Sequence, residues 1–241
     1  MAQNSKIEWT DTTWNPITGC TKISDGCKNC YAEKMANRLY KMGNAKYANN
    51  FTVTLHVNAL NEPYKWKKPR RIFVCSMSDL FHEDVPDGFI QKVFAVMNEN
   101  PQHIFQVLTK RIHRGLSNQM EKLTWSKNIW LGTTIENGEA KTMAGISMLR
   151  YTAAKIKFIS FEPLLQDVGN QLDLYGIDWA IVGGESGANA RTMQEDWVLN
   201  IKKQCEEQNV AFYFKQWGGK NKKKAGCLLQ GRTWDDMPKG V

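Results

Sequence analysis

The sequence predicts an α/β protein on a parallel sheet, folded as a partial or near-complete parallel (β/α) barrel. Three observations predict it. Short apolar runs alternate with helix-like stretches along the chain. The runs are continuous rather than alternating, which suits strands buried on both faces. Polar residues gather directly after the runs, where ligands bind in parallel α/β folds. A doubly wound open sheet is the competing arrangement of the same elements.

Taken in order, an extended segment falls at residues 7–10 or 14–17, before a cysteine-bearing loop. Strand candidates follow at 52–57 (TVTLHV), 72–76 (IFVCS), 104–108 (IFQVL), 129–133 (IWLGT), 156–160 (IKFIS), 179–183 (WAIVG) and 211–214 (AFYF). Helices are expected at 31–40, at 87–98 with Phe89, Val93 and Val96 along one side, and at 195–208 with Trp197, Val198 and Ile201 together. Residues 1–217 read as one barrel-like catalytic domain, and the Gly- and Lys-rich 218–241 as a basic C-terminal extension. A chain of 241 residues is long enough to bury a proper core.

No apolar run approaches the roughly 20 residues of a membrane helix, and the polar start MAQNSKIEWTDTTW has no signal-peptide core. A cytoplasmic protein with no membrane partner is expected. There, clustered cysteines serve metal binding or catalysis rather than disulfides. Lys and Arg number 32 against 24 Asp and Glu, a net charge of +8. Basic runs at 65–71 (KWKKPRR), 110–114 (KRIHR) and 220–224 (KNKKK) suit a nucleic acid or another polyanion. If the partner is DNA, the 65–71 run should flank the mouth of the site.

Six polar segments follow the strands: Ser76-Met77-Ser78-Asp79, Thr109-Lys110-Arg111, Thr133-Thr134-Ile135-Glu136-Asn137, Ser160-Phe161-Glu162-Pro163, Gly183-Gly184-Glu185-Ser186-Gly187 and Lys215-Gln216-Trp217. Each alone could be a turn or a helix cap. All six in phase point to an active-site rim on a rigid scaffold.

Cys20, Cys27 and Cys30 stand at C-x₆-C-x₂-C. A structural zinc site uses four ligands, and no fourth is obvious; His56, Cys75, Cys205 and Cys227 are the candidates. Three thiolates alone can hold a [4Fe–4S] cluster by three irons and leave the fourth open. That arrangement serves radical chemistry with S-adenosylmethionine.

The segment Gly19-Cys20 … Gly26-Cys27-Lys28-Asn29-Cys30-Tyr31-Ala32 resembles the cluster loop of the radical SAM superfamily, and is closest to its spore photoproduct lyase-like branch. The superfamily's commonest spacing has three fewer residues in the first gap, and Asn29 replaces its usual aromatic residue. SMSDLFHEDVP, LTKR, FISFEPLL, IVGGESG and FKQWG also resemble a functionally uncharacterised family frequent in bacteriophage genomes. The resemblance implies a barrel of the radical SAM type. It implies a [4Fe–4S] cluster and S-adenosylmethionine as cofactors, cleavage to a 5′-deoxyadenosyl radical, and an electron donor such as flavodoxin or ferredoxin. It places Lys110 at the carboxylate of S-adenosylmethionine and Ser76, Ser78 and Asp79 along its site. On this reading Gly183 and Gly184 let backbone approach the cofactor, and Glu185 offers it a carboxylate. Glu136 and Glu162 bind ribose or substrate, or act as acid and base. Trp217 stacks on a base or packs in the core. The expected function is modification or repair of a nucleobase or nucleic acid. The alternative is a zinc- or Fe–S-stabilised nucleic-acid-binding protein without turnover.

Overall fold

The structure, a computed structural model, describes residues 5, 7–117 and 122–238. In chain order it contains β1 (Thr12–Trp14), β2 (Ile17–Thr18), α1 (Tyr31–Lys41), β3 (Thr54–Leu55), β4 (Arg71–Val74), α2 (Asp87–Glu99), β5 (Ile104–Thr109) and α3 (Ile112–Gly115). Then come β6 (Ile129–Thr134), α4 (Ala140–Arg150), β7 (Ile156–Phe161), β8 (Trp179–Gly183), α5 (Glu195–Glu207), β9 (Ala211–Gln216) and α6 (Lys222–Ala225). Seven strands form one parallel sheet in the order β1-β4-β5-β6-β7-β8-β9, and β2 pairs with β3 in a separate antiparallel ribbon. Strand order follows chain order, as successive βα units produce. This is the partial barrel that the alternation predicts, not the doubly wound sheet, whose strand order reverses partway.

Two compact units divide the chain. The first comprises the residues up to Ile23, Cys30–Leu131 and Thr152–Lys155. Its sheet pairs Thr12–Trp14 with Ile72–Val74 and Arg71–Val74 with Ile104–Val107, both parallel. Helix α2 buries Phe89, Ile90, Val93, Phe94, Val96 and Met97. At roughly 1.5–3 kcal/mol for each large side chain, that face outweighs any helix propensity. Asp87 in its first turn suits the positive helix end.

Two expectations are corrected in this unit. TVTLHV is not a sheet strand: only Thr54 and Leu55 pair, antiparallel, and both are half-buried. The edge position in the parallel sheet goes to β1. There Trp14 is fully buried and its indole N–H donates to Ala59 O at 2.8 Å. The run 65–71 precedes β4 and so lies at its amino end, about 13 Å along a four-residue strand from Ser76. It therefore does not flank the carboxyl-end mouth. Arg70 stacks over Trp66, and Arg71 pairs with Asp11 at 3.1 Å.

The second unit comprises Ser24–Asn29, Gly132–Tyr151 and the chain from Ile156 onward. β7, β8 and β9 pair in parallel, and β8 is buried along its whole length. Helix α5 packs Val198, Ile201 and Cys205 inward. Helix α4 has no counterpart among the sequence expectations; it buries only Gly145, Ile146 and Leu149. The tail is tied to the edge strand: Phe214 N donates to Trp234 O at 2.8 Å, Asp235 bridges Tyr213, and the Trp179 indole donates to Asp236 O at 2.8 Å. No helix among the described residues is long and apolar enough to cross a membrane.

Candidate active site

In the first unit, β1 and β4 end beside the start of the cysteine loop. Asn15 Oδ1 accepts from Ser76 Oγ at 3.2 Å and from Met77 N at 3.0 Å, and Ser78 Oγ donates to Ile17 O at 3.1 Å. Gly19 N donates to Met77 O and Cys20 N to Phe51 O, at 3.0 and 3.1 Å. Gly19 has φ +86°, and a Cβ there would lie 2.2 Å from Thr52 O, so the turn admits only glycine. Cys30 heads α1, packed against the cluster of Ala32, Ala36, Tyr47 and Met77.

Arg111, buried to 1% exposure, is the hub of this unit. Its Nη1 is 3.5 Å from Cys20 Sγ and 3.5 Å from Asp79 Oδ2. Its Nη2 donates to Thr21 O and Oγ1 at 3.1 and 2.9 Å, and its Nε to Glu83 at 2.8 Å. Burial opposes the charge, but Cys20, Asp79 and Glu83 outweigh it and raise the pKa. Asp79 also accepts from Thr109 Oγ1, Lys110 N and Phe81 N at 2.8, 3.0 and 2.9 Å. The run KRIHR is therefore not a basic surface: Arg114, too, pairs inward with Asp87 at 2.7 Å.

In the second unit, the segment carrying Cys27 is held by two carboxylates. Glu136, buried after β6, accepts from Ser24 Oγ and Gly26 N, both at 2.7 Å. Ser24 Oγ also stands 3.4 Å from Cys27 Sγ. Glu185, after β8, accepts from Asn29 Nδ2 at 3.0 Å and from Arg191 N, Nε and Nη2 at 2.9, 3.0 and 2.6 Å. Arg191 Nη2 reaches Asp25 O at 2.9 Å. Burial pushes the Glu185 carboxyl up, but the hydrogen bonds from Arg191 and Asn29 prevail and hold it at about 2.

The other rim residues of this unit pair among themselves. Glu162 meets Lys215 at 2.7 Å and accepts from Ser160 Oγ at 3.2 Å. A Cβ on Gly183 would lie 2.5 Å from Glu162 Oε1, and one on Gly184 would lie 2.1 Å from Trp217 O. The Trp217 ring packs edge-on to Phe214 at 4.8 Å, and its indole donates to Leu228 O at 2.9 Å. Ser24 and Arg191 escaped the sequence reading, and Asn29 and Arg111 appeared there without these roles. Arg111 carried a signal, since it follows Thr109-Lys110 directly at a strand end.

The donor set fits a cluster held by three cysteines. None of the six cysteines is in a disulfide, and Cys20, Cys27 and Cys30 are partly exposed. Burial pushes the Cys75 and Cys205 thiols up to about 12, which keeps them neutral and inert. His56 Nε2 is engaged by Thr18 Oγ1 at 2.8 Å. Among the described residues, no three Cys, His, Asp or Glu side chains gather as for a single metal ion.

Among solved structures, the fold is similar to a spore photoproduct lyase double mutant with bound AdoMet and dinucleoside spore photoproduct, at TM-score 0.53 and 11% identity. A single mutant of the lyase with the dinucleoside spore photoproduct gives TM-score 0.53 at 11% identity, and another single mutant gives 0.50 at 13%. In each case the likeness covers 86% of this chain and 64% of the lyase chain. At such identity it is a likeness of fold. No curated protein matches the sequence. Residues 4–238 match the family described as protein of unknown function (DUF5131), and with nearly the whole sequence covered, the chain belongs to that family.

Proposed function

We propose that the chain is a radical S-adenosylmethionine enzyme acting on a nucleobase or nucleic acid, with Cys20, Cys27 and Cys30 ligating a [4Fe–4S] cluster. One observation carries the reading. The C-x₆-C-x₂-C segment lies between the first sheet strand and the first helix of a parallel partial barrel, in a chain whose fold is similar to spore photoproduct lyase. A cluster held there would supply the single electron that reductive cleavage of S-adenosylmethionine to a carbon radical requires, drawn from the electron donor. Binding of a dinucleoside photoproduct by the lyase supports a nucleic-acid substrate here. A flavodoxin- or ferredoxin-like protein is the proposed electron donor, and the cytoplasm the proposed compartment.

The chain's own residues set the stage. Arg111 holds Cys20 and Thr21. Glu136 fixes Ser24 and Gly26, and the Glu185–Arg191 pair fixes Asn29 and Asp25. Both oxygens of Glu136 are committed to the loop, so we assign it positioning rather than acid–base work. Glu162 keeps the acid–base role, paired with Lys215 at 2.7 Å. Ser76, Ser78 and Asp79 shape the S-adenosylmethionine site through the turn they build. Lys110 meets its carboxylate, and Gly183 and Gly184 line it.

The test is anaerobic reconstitution. About four irons and four sulfides per chain are expected, with 5′-deoxyadenosine formed on adding dithionite and S-adenosylmethionine. Replacing Cys20, Cys27 or Cys30 by Ala should abolish both, whereas Cys205→Ala should keep both. One zinc per chain and no sulfide would overturn the reading, as would metal loss in Cys205→Ala.

A further inference from the structure

Helix α1 starts at Tyr31, directly after Cys30, and has two unlike faces. Ala32 and Ala36 are buried, with Met35 and Leu39 packed beside them. On the other side, Tyr31, Lys34, Arg38 and Lys41 fall within an arc of about 80° at 100° per residue. All four are exposed, Tyr31 at 64%. The helix's one acid, Glu33, lies off this arc and is neutralised by Lys22 at 2.8 Å. Lys34, Arg38 and Lys41 make no ion pair among the described residues. Three uncompensated cations thus run over about 10 Å of helix, headed by an exposed aromatic ring. Met42, 68% exposed, closes the row.

We infer that this face of α1 is a docking track for single-stranded nucleic acid. Lys34, Arg38 and Lys41 take successive phosphates, and Tyr31 stacks on a base beside the cysteine loop. Charge complementarity selects the occupant: a polyanion with regular charges matches the row of cations, and its π-faces match the tyrosine. A duplex hides its bases from such a ring, so the strand is single or locally opened. The inference deepens the proposed action on nucleic acid, but the track itself needs no cluster.

The experiment measures binding of a fluorescently labelled 12-nucleotide oligothymidine by anisotropy, between 50 and 300 mM salt. Wild-type protein should bind with a log–log salt slope of about −2, from three cations at about −0.7 each. Lys34→Glu with Arg38→Glu should weaken binding at least tenfold and shrink the slope to about −0.7. Lys92→Glu with Lys203→Glu makes the same change in net charge on α2 and α5, and should leave affinity and slope near wild type. Tyr31→Ala should weaken binding about tenfold at all salt concentrations, the loss of one stacked base. A duplex of the same length should bind more weakly than the single strand. Equal losses in the two double variants would overturn the inference, as would no loss in Tyr31→Ala or a wild-type protein that ignores the oligonucleotide. Wild-type protein that forms 5′-deoxyadenosine but ignores the oligonucleotide would sink the track alone. Oligonucleotide binding without cluster or S-adenosylmethionine cleavage would sink the radical reading alone.

Discussion

Arg111 carries a full charge at 1% exposure and survives there because every donor nitrogen has an acceptor. Its partner Asp79 is nearly as buried, at 8% side-chain exposure. Removing one member of a buried pair leaves the other charge uncompensated, at a cost of roughly 3–5 kcal/mol. Arg111→Leu should lose about that much in urea unfolding followed by tryptophan fluorescence. Glu83→Gln removes an exposed partner and should cost less than about 1 kcal/mol. Glu185 has a pH signature. Its folded pKa of about 2 lies below the ordinary 4.5, so its contribution is complete above pH 4.5 and disappears as pH falls toward 2. The gap corresponds to roughly 3 kcal/mol. Glu185→Gln should therefore lower stability at pH 7 and flatten the acid limb of the stability profile; an unchanged acid limb would contradict the assignment. The sequence sets Cys20, Cys27 and Cys30 apart by spacing alone. It shows Arg111 only as part of a basic, polar segment and Arg191 not at all, because a buried arginine and a solvated one look alike until partners are placed. The roles of the glutamates were not legible, since that of Glu136 depends on a loop more than 100 residues away.

The buried strands were legible as elements because continuous apolar runs such as WAIVG have one compact use, and β8 spans the same five residues. β1 was not, at three residues with two threonines, since its strand state depends on pairing with β4. Helix α4 was missed because Thr, Gly and Ser interrupt its apolar stripe. The C-terminal segment looked like an appendage because Gly and Lys dominate its start, while its packing residue, Trp234, comes late. Lys202 and Arg232 lie over that ring, 4.2 and 3.5 Å from its centroid. Ending the chain at Trp217 would remove the acceptors of Phe214 N and of the buried Trp179 indole. Each unmade buried bond costs about 1–3 kcal/mol. With about 2–4 °C of melting temperature per kcal/mol at this size, the truncated chain should melt roughly 10 °C lower by circular dichroism. An unchanged melting temperature would support the reading of 218–241 as a separable extension.

For the whole molecule, the fold survives at 11% identity to a lyase because hydrophobic period and strand order specify a parallel barrel, and many side chains satisfy both. Charge is the property that the linear sequence places least well. The net +8 is real, but the folded chain redistributes its apparent clusters. KRIHR turns its arginines inward. KWKKPRR enters β4 at the amino end, with Arg70 on Trp66 and Arg71 on Asp11, so only Lys65, Lys67 and Lys68 remain as free surface charge. No compact run marks α1, because its cations are spaced at three and four residues and only the helix aligns them. The two locations make opposite predictions. Lys67→Glu with Lys68→Glu alters the denser cluster, yet it should leave oligothymidine affinity within about twofold and the salt slope unchanged. A phosphate not in contact with a cation releases no counterion when that cation is removed. A slope that falls by about 1.4 in this variant would mean that two phosphates sit at the amino end of the sheet. The strand would then enter from the side opposite the cysteine loop, and the α1 track would be wrong.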